Sequence, residues 1–232
     1  MEGVGKCFLC LNERARRLVR VDCGFAAFLD FVESFSKQQV SKDVIRALLD
    51  RFWDTTNTFH FSWGELALTP MEFGAISGLR MSGRDVAIPM EPPGDLGDII
   101  GPAFQEIWEP DSRLRHSTIR RFIEHNPVLG YLTDRQQATL FIWYMFEACL
   151  FSNPSDRALW EHLWMLADFE GIGSVQWGVY AYSHLISSMR DAVRGKNYEE
   201  MVQGPKRKLC GVLKVLLVIF QLLLHILLPY ED

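Results

Sequence analysis

Cys7, Cys10 and Cys23 are the residues whose type and spacing come nearest to a metal site in this chain. Cys-x-x-Cys is a zinc-ligand spacing, yet tetrahedral zinc takes four ligands and no second close pair follows. No metal is expected, and the thiols read as scattered buried or exposed groups. His60 with Glu65, and Glu161 with His162, are the acid/base pairs to consider. His60 alternates away from Phe59, Phe61 and Trp63, which makes it an exposed or hydrogen-bonded histidine. Glu161 and His162 are neighbours on a helix and do not face each other. Asp168 and Glu170 flank the Gly171/Gly173 turn, a carboxylate pair without a third oxygen ligand, and helix capping accounts for Asp168 to Ser174. There is no Walker loop, no Gly-x-Ser-x-Gly elbow and no His-Glu-x-x-His pair. What remains is binding chemistry. Arg113, Arg115, His116, Arg120 and Arg121 form the best local candidate for touching phosphate and, with the Pro-rich loop before them, the expected contact surface, against the alternative of a solvated helical face. Trp63 and Trp177 could stack bases, but both sit in apolar periodic segments and are expected in the core.

The bulk composition sets the frame for these residues. At 232 residues, with 48% hydrophobic and 12% aromatic content, the chain supports one substantial core. A net charge of −5 argues against a dedicated nucleic-acid grip. Five cysteines, an odd number, without a cleavable N-terminal signal pattern, indicate free thiols in a reducing compartment.

The elements that would position these residues are mostly helical. Arg14, Arg16, Arg17 and Arg20 form a basic run in a mixed N-terminal segment, read as a solvated face or a loose arm. Val44, Ile45, Leu48, Leu49, Phe52 and Trp53 recur at helical spacing behind a Ser41 N-cap. Phe59, Phe61 and Trp63 then alternate as one face of a strand, Gly64-Glu65 turns, and Leu66 and Leu68 return. Thr69-Pro70-Met71-Glu72 is a capping box with proline at the first helical position, and Phe73, Ile76 and Leu79 form the apolar face of its helix. Gly78 and Gly83 end it.

Pro89 to Pro110 reads as a long connection with at most a turn of helix. Leu114, Ile119, Phe122 and Ile123 mark a short helix with the basic face on its other side. Thr133-Asp134-Arg135-Gln136 is a second capping box, leading into Ala138 to Leu150, a run apolar on almost every side and so buried centrally. Asn153-Pro154 breaks it, Ser155 caps the next helix, and Leu159, Trp160, Leu163, Trp164 and Ala167 face inward. Glu170 to Ser174 turns the chain before a helix with Val175, Val179, Tyr182, Leu185, Ile186 and Met189 facing in. Gly211 to Leu228 is nearly continuous hydrophobe, close to the ~20 residues that span a bilayer. Its polar residues Lys214, Gln221 and His225 fall within about 20° of one helical line, which suits a core helix with a wet edge. Core helix and membrane anchor both stay open.

Two segments also resemble a known family. Leu48 to Trp53 followed by Asn57 to Ile88, and Trp164 to Tyr182 with its Leu-x-Asp-Phe, Gly-Ser and Trp-Gly run, are similar to the plant mobile domain. This is the transposon-derived module labelled aminotransferase-like and found in MAIN-like nuclear proteins. The resemblance covers most of residues 40 to 190 and carries no established catalytic residues. It implies a nuclear setting and roles in transposon silencing, genome integrity and meristem maintenance. The label would imply pyridoxal phosphate on a Schiff-base lysine. Lys6, Lys37, Lys42, Lys196, Lys206, Lys208 and Lys214 lie mostly in polar or terminal stretches, so neither that cofactor nor any other, nor enzymatic activity, is expected. Family members continue past Leu209-Cys210-Gly211 into a helix containing tryptophan, which makes this copy look shortened.

The expectation is therefore a mainly α fold: a single helical domain with one small β-hairpin near residues 58–68. Residues 1–40 would be an N-terminal extension, 41–208 the plant mobile domain and 209–232 a hydrophobic C-terminal helix. Its partners would be proteins, with nucleic acid or a membrane reached through 209–228 as alternatives, and no small-molecule substrate. Phe59, Phe61, Trp63, Thr69, Glu72 and Trp177 would define the fold.

Overall fold

A computed structural model describes residues 2–35, 42–86, 96–107, 114–152 and 157–195. At its centre lies α9 (Asp134–Met145), continued by a π-helical turn over Phe146–Leu150. The capping box starts this helix as the sequence predicts. Thr133 Oγ1 accepts the Gln136 amide at 3.2 Å, and Gln136 Oε1 accepts the Thr133 amide at 3.0 Å. Every residue from Gln137 to Glu147 is buried. An apolar run with no wet face must be enclosed by other elements, and helices surround it.

The N-terminal segment supplies much of that cover. α1 (Glu2–Cys10), α2 (Glu13–Arg17), a π turn over Leu18–Asp22 and α3 (Ala26–Phe35) bury Val4, Cys7, Leu11, Ala15, Val19, Phe25 and Phe28 in the common core. Gln137 locks them to α9 by accepting the Asn12 amide at 3.1 Å while donating to the Leu132 carbonyl at 3.1 Å. Residues 2–35 are thus part of the domain interior rather than an extension, because their apolar stripe packs on the central helix.

The hairpin is present, with corrected details. β1 (Phe52–Trp53), β2 (Thr58–Phe61) and β3 (Gly64–Ala67) form an antiparallel sheet in the order β1-β2-β3. α4 (Lys42–Leu49) ends before Phe52 and Trp53, which were expected on its face. Phe52 instead pairs with Phe59, their rings 5.1 Å apart. Phe61 pairs with Gly64, so the turn is Ser62-Trp63 and not Gly64-Glu65. Of the three aromatics expected inside, Phe59 is buried, Phe61 is half-buried, and Trp63 is 54% exposed because it occupies the turn.

α5 (Pro70–Ser77) follows with its capping box complete. Thr69 Oγ1 accepts the Glu72 amide at 3.2 Å and Glu72 Oε2 accepts the Thr69 amide at 2.8 Å. Gly78 caps its C-terminus in the left-handed region at φ 70°. The helix packs between α3 and α11 (Trp177–Val193), which buries Trp177, Leu185, Ile186 and Met189 as predicted and Ala181 besides, with Val179 and Tyr182 only half-buried.

The proline-rich connection holds more structure than expected. α6 (Leu96–Ile100) and α7 (Ala103–Ile107) bury Ile100, Ala103 and Ile107, and α6 packs on α9. α8 (His116–His125) buries Ile119, Phe122 and Ile123 as read. In α10 (Trp160–Trp164) only part of the expected stripe faces in: Leu163 is buried, Trp160 and Trp164 are half-buried, and Leu159 and Ala167 are exposed. Ser41, Asn153, Pro154, Ser155 and the 209–232 segment lie outside the described residues. Among the described residues no helix is long and apolar enough to cross a membrane.

Candidate functional site

The two family-like segments, far apart in sequence, are joined in space. The Arg84 amide donates to the Ser174 carbonyl at 3.0 Å, the Gln176 amide to the Arg84 carbonyl at 3.2 Å, and the Gly178 amide to the Arg80 carbonyl at 2.8 Å. Two glycines let the backbones approach this closely. Gly83 sits at φ 147°, where a Cβ would overlap the Ser174 carbonyl, and a Cβ on Gly178 would run into Met81 Sδ. Arg84 then donates from Nη2 to Asp168 Oδ2 at 2.5 Å and from Nε to Ser174 Oγ at 2.9 Å.

The Asp168/Glu170 loop is therefore filled from within. Asp168 caps the 3-10 turn Phe169–Ser174 by accepting the Gly171 amide at 3.2 Å while pairing with Arg84. Glu170 pairs with Arg135 at 2.6 Å, and the Arg135 guanidinium lies 4.9 Å over the Phe169 ring. Trp177 is buried beside this loop and donates to the Ile172 carbonyl at 2.9 Å.

The cysteines do not converge. Burial and the neighbouring Glu124 carboxylate push the Cys7 thiol far up, and burial pushes Cys23 up to about 12. Cys10 is exposed and its thiol lies 3.4 Å from the Lys6 carbonyl. Among the described residues no three His, Cys, Asp or Glu side chains are grouped to hold a metal ion.

The expected basic face is divided. Arg120 lies along α1, its Cδ against Gly3 and its Nε 3.7 Å from Glu124 Oε2, whereas Arg121 is exposed. Adjacent helical residues point about 100° apart, which explains the split. His116 is half-buried with its ring 6.3 Å from that of Tyr144. Arg115 is exposed at the start of α8 and forms an antiparallel bridge with Arg157. Arg113 lies outside the described residues.

Two features stand out beyond those read from the sequence. On the sheet, Trp53 is 55% exposed and stacks on His60 at 4.2 Å, while Trp63 stacks on Phe61 at 4.8 Å. His60 also meets Thr58 Oγ1 at 3.1 Å and Glu65 Oε1 at 3.6 Å. In the interior, the side chain of Glu147 is fully buried in the π turn. Its Oε1 lies 2.7 Å from His162 Nδ1 and accepts the Leu159 amide at 2.9 Å, while Oε2 has no hydrogen-bond partner among the described residues. One turn earlier, Trp143 Nε1 donates to the Leu159 carbonyl at 3.0 Å, so the two side chains clamp both polar groups of one residue. Phe151 lies against both His162 and His184, and burial lowers the His184 pKa below the usual histidine range.

Residues 1–213 match the family described as a domain of unknown function, DUF8566. The chain belongs to that family. It is also similar to Protein MAINTENANCE OF MERISTEMS of Arabidopsis thaliana, at 24% identity over 159 residues covering 66% of this chain and 33% of that protein. Protein MAIN-LIKE 1 of the same plant is 22% identical over 172 residues, covering 70% and 33% of the two chains. The chain spans about a third of the length of these curated relatives. Both support a place among MAIN-like plant mobile domain proteins. No solved structure matches the chain.

Within this DUF8566 domain, one of the two missed features left a sequence signal. Glu147 is the lone charge in the run Ala138 to Leu150. A carboxylate inside a helix buried on all sides requires a partner, which points to a histidine or arginine nearby. The exposure of Trp63 left none, because it follows from the position of the turn.

Proposed function

We propose that this chain is a non-catalytic plant mobile domain module that binds other proteins in the nucleus, associated with chromatin and linked to transposon silencing, genome stability and meristem organisation. The nuclear and silencing roles rest on the MAIN-like resemblance, and the curated relative's name speaks of meristem maintenance for that protein. The binding role rests on the sheet. Trp53 and Trp63 are each more than half exposed yet fixed by stacking on a second ring. Rigid exposed aromatics give large contact area at little further loss of side-chain freedom. The non-catalytic reading is supported by how the buried polar groups Glu147 and Gln137 and the exposed Asp168 loop are occupied. Glu147, Gln137 and Asp168 hold backbone groups in place, and the Asp168 loop is closed by Arg84.

The test is a Trp53→Ala/Trp63→Ala variant, compared with the parent in cross-linking and capture from plant nuclei. The expected result is loss of specific partners with the melting temperature within a few degrees of the parent. Undiminished capture by a folded variant would reject the sheet as the contact surface. A nucleic-acid reading has one observation in its favour, the backbone bridge that sets Arg115 opposite Arg157. It predicts affinity falling steeply with salt and weakened by Arg121→Glu.

A further inference from the structure

Thr69-Pro70 is the only Ser/Thr-Pro dipeptide in the chain, and the fold displays it. Thr69 and Pro70 are exposed, and the following Met71 is 82% exposed. The approach to it is extended. β3 covers Gly64–Ala67, and Thr69 has φ −81° and ψ 157°, the region that a following proline favours. β3 is an outer strand of its sheet, and among the described residues its far edge carries no strand partner. Leu68 anchors the stretch from beneath, with a buried side chain and a carbonyl that accepts the Tyr182 hydroxyl at 2.8 Å. An extended, exposed segment ending in Thr-Pro is the form in which a kinase takes a substrate peptide.

We propose that Thr69 is a phosphorylation site for a proline-directed serine/threonine kinase. Thr69 Oγ1 attacks the γ-phosphorus of MgATP, the bond from that phosphorus to the bridging oxygen breaks, ADP leaves, and the hydroxyl proton passes to the catalytic carboxylate of the kinase. The local geometry sets the consequence. Thr69 Oγ1 donates to Glu72 Oε2 at 2.8 Å, and the same oxygen of Glu72 accepts the Thr69 amide at 2.8 Å. A phosphate carrying about −1.5 to −2 charges cannot share that place with a carboxylate. The phosphate takes over the Glu72 amide at the positive end of α5, where a dianion is well placed. Glu72 swings out, and the Thr69 amide loses its acceptor. The modification therefore exchanges one cap for another and adds an anionic group beside the sheet.

The experiment uses the full chain, MgATP and a proline-directed kinase, with phosphate located by peptide mapping. One phosphate is expected on Thr69, absent from Thr69→Val and formed about tenfold more slowly in Pro70→Ala, whose helix start tolerates alanine at the first position. Hydrogen exchange supplies a second readout. In the phosphorylated chain the Thr69 amide should exchange about tenfold faster, while the Phe73 amide, which donates to the Thr69 carbonyl at 3.0 Å, stays protected. A kinase that modifies the free peptide of residues 64–72 but leaves Thr69 of the folded chain bare would overturn the proposal. So would equal rates for the parent and Pro70→Ala, or unchanged exchange at Thr69 after modification.

Discussion

Replacing Glu147 by glutamine and by leucine separates the charge of the buried carboxylate from its shape. Oε1 serves the Leu159 amide and His162 Nδ1, while Oε2 bonds to none of the described residues. Glutamine keeps a carbonyl oxygen for Leu159 and gives up the charge-assisted part of the contact with His162. Hydrogen bonds to charged groups exceed neutral ones by about 1 kcal/mol. Removing a desolvated charge offsets some of that, so a loss of about 1 kcal/mol is the upper end for glutamine. Leucine fills the same space but orphans two groups, the Leu159 amide and the His162 ring nitrogen, at about 1–3 kcal/mol each before the same relief. A net loss of about 3 kcal/mol follows. For a domain of this size each kcal/mol moves the melting temperature by about 2–4 °C, giving shifts of about 3 °C for Glu147→Gln and about 9 °C for Glu147→Leu. Thermal unfolding by circular dichroism at neutral pH measures both. A leucine variant that melts with or above the parent would refute the reasoning, since the clamp on Leu159 would then contribute nothing beyond packing.

Three further outcomes follow from the same structure. Thr69→Ala removes the acceptor for the Glu72 amide and should lower stability by about 1 kcal/mol, read as a drop in urea midpoint at unchanged slope. Gly83→Ala forces a Cβ onto the Ser174 carbonyl at a positive φ, and should lose about 2–3 kcal/mol or fail to express in soluble form, whereas parent-like melting would show that the Arg84 to Ser174 junction can open freely. His184 titrates below the usual histidine value in the fold. Both folded and unfolded forms are neutral at high pH, and the unfolded form takes up its proton first as pH falls through about 6.5. Stability should therefore decline from about pH 7 downward and level off below the folded pKa, and His184→Gln should flatten that limb of the melting profile.

The hairpin shows how far period-two reasoning reaches. Pairing Phe59 with Leu66 and pairing Phe61 with Leu68 differ by a shift of two residues along each strand. Both put the same side chains on the same face. Alternation alone thus predicts the faces and leaves the turn free between Ser62-Trp63 and Gly64-Glu65. The observed register is the first, which carries Trp63 out of the core. The capping boxes at Thr69 and Thr133 were legible because every atom they use lies within four residues. The Arg84 to Asp168 pair was not, since its partners are 84 positions apart. Between Pro89 and Pro110 a count of prolines outweighed a pattern that was there. Ala103 and Ile107 fall four apart on α7 and Ile100 ends α6, and the structure buries all three.

The N-terminal segment carries the same lesson with a chemical cause. Val4, Cys7, Leu11, Ala15, Val19 and Cys23 recur every three or four residues, and all are buried. That is the stripe of helices packed on a core, visible only when cysteine is counted as an apolar residue. Weighing Cys7, Cys10 and Cys23 as metal ligands groups them by atom type, whereas the fold sorts them by helical phase. Cys7 and Cys23 belong to the stripe, whereas Cys10 follows two successive steps of three from Val4, about 120° away in helical phase, and is exposed. Burial then raises the thiol pKa of the two inner cysteines, so the packing that makes them useful to the core also disfavours their thiolate forms.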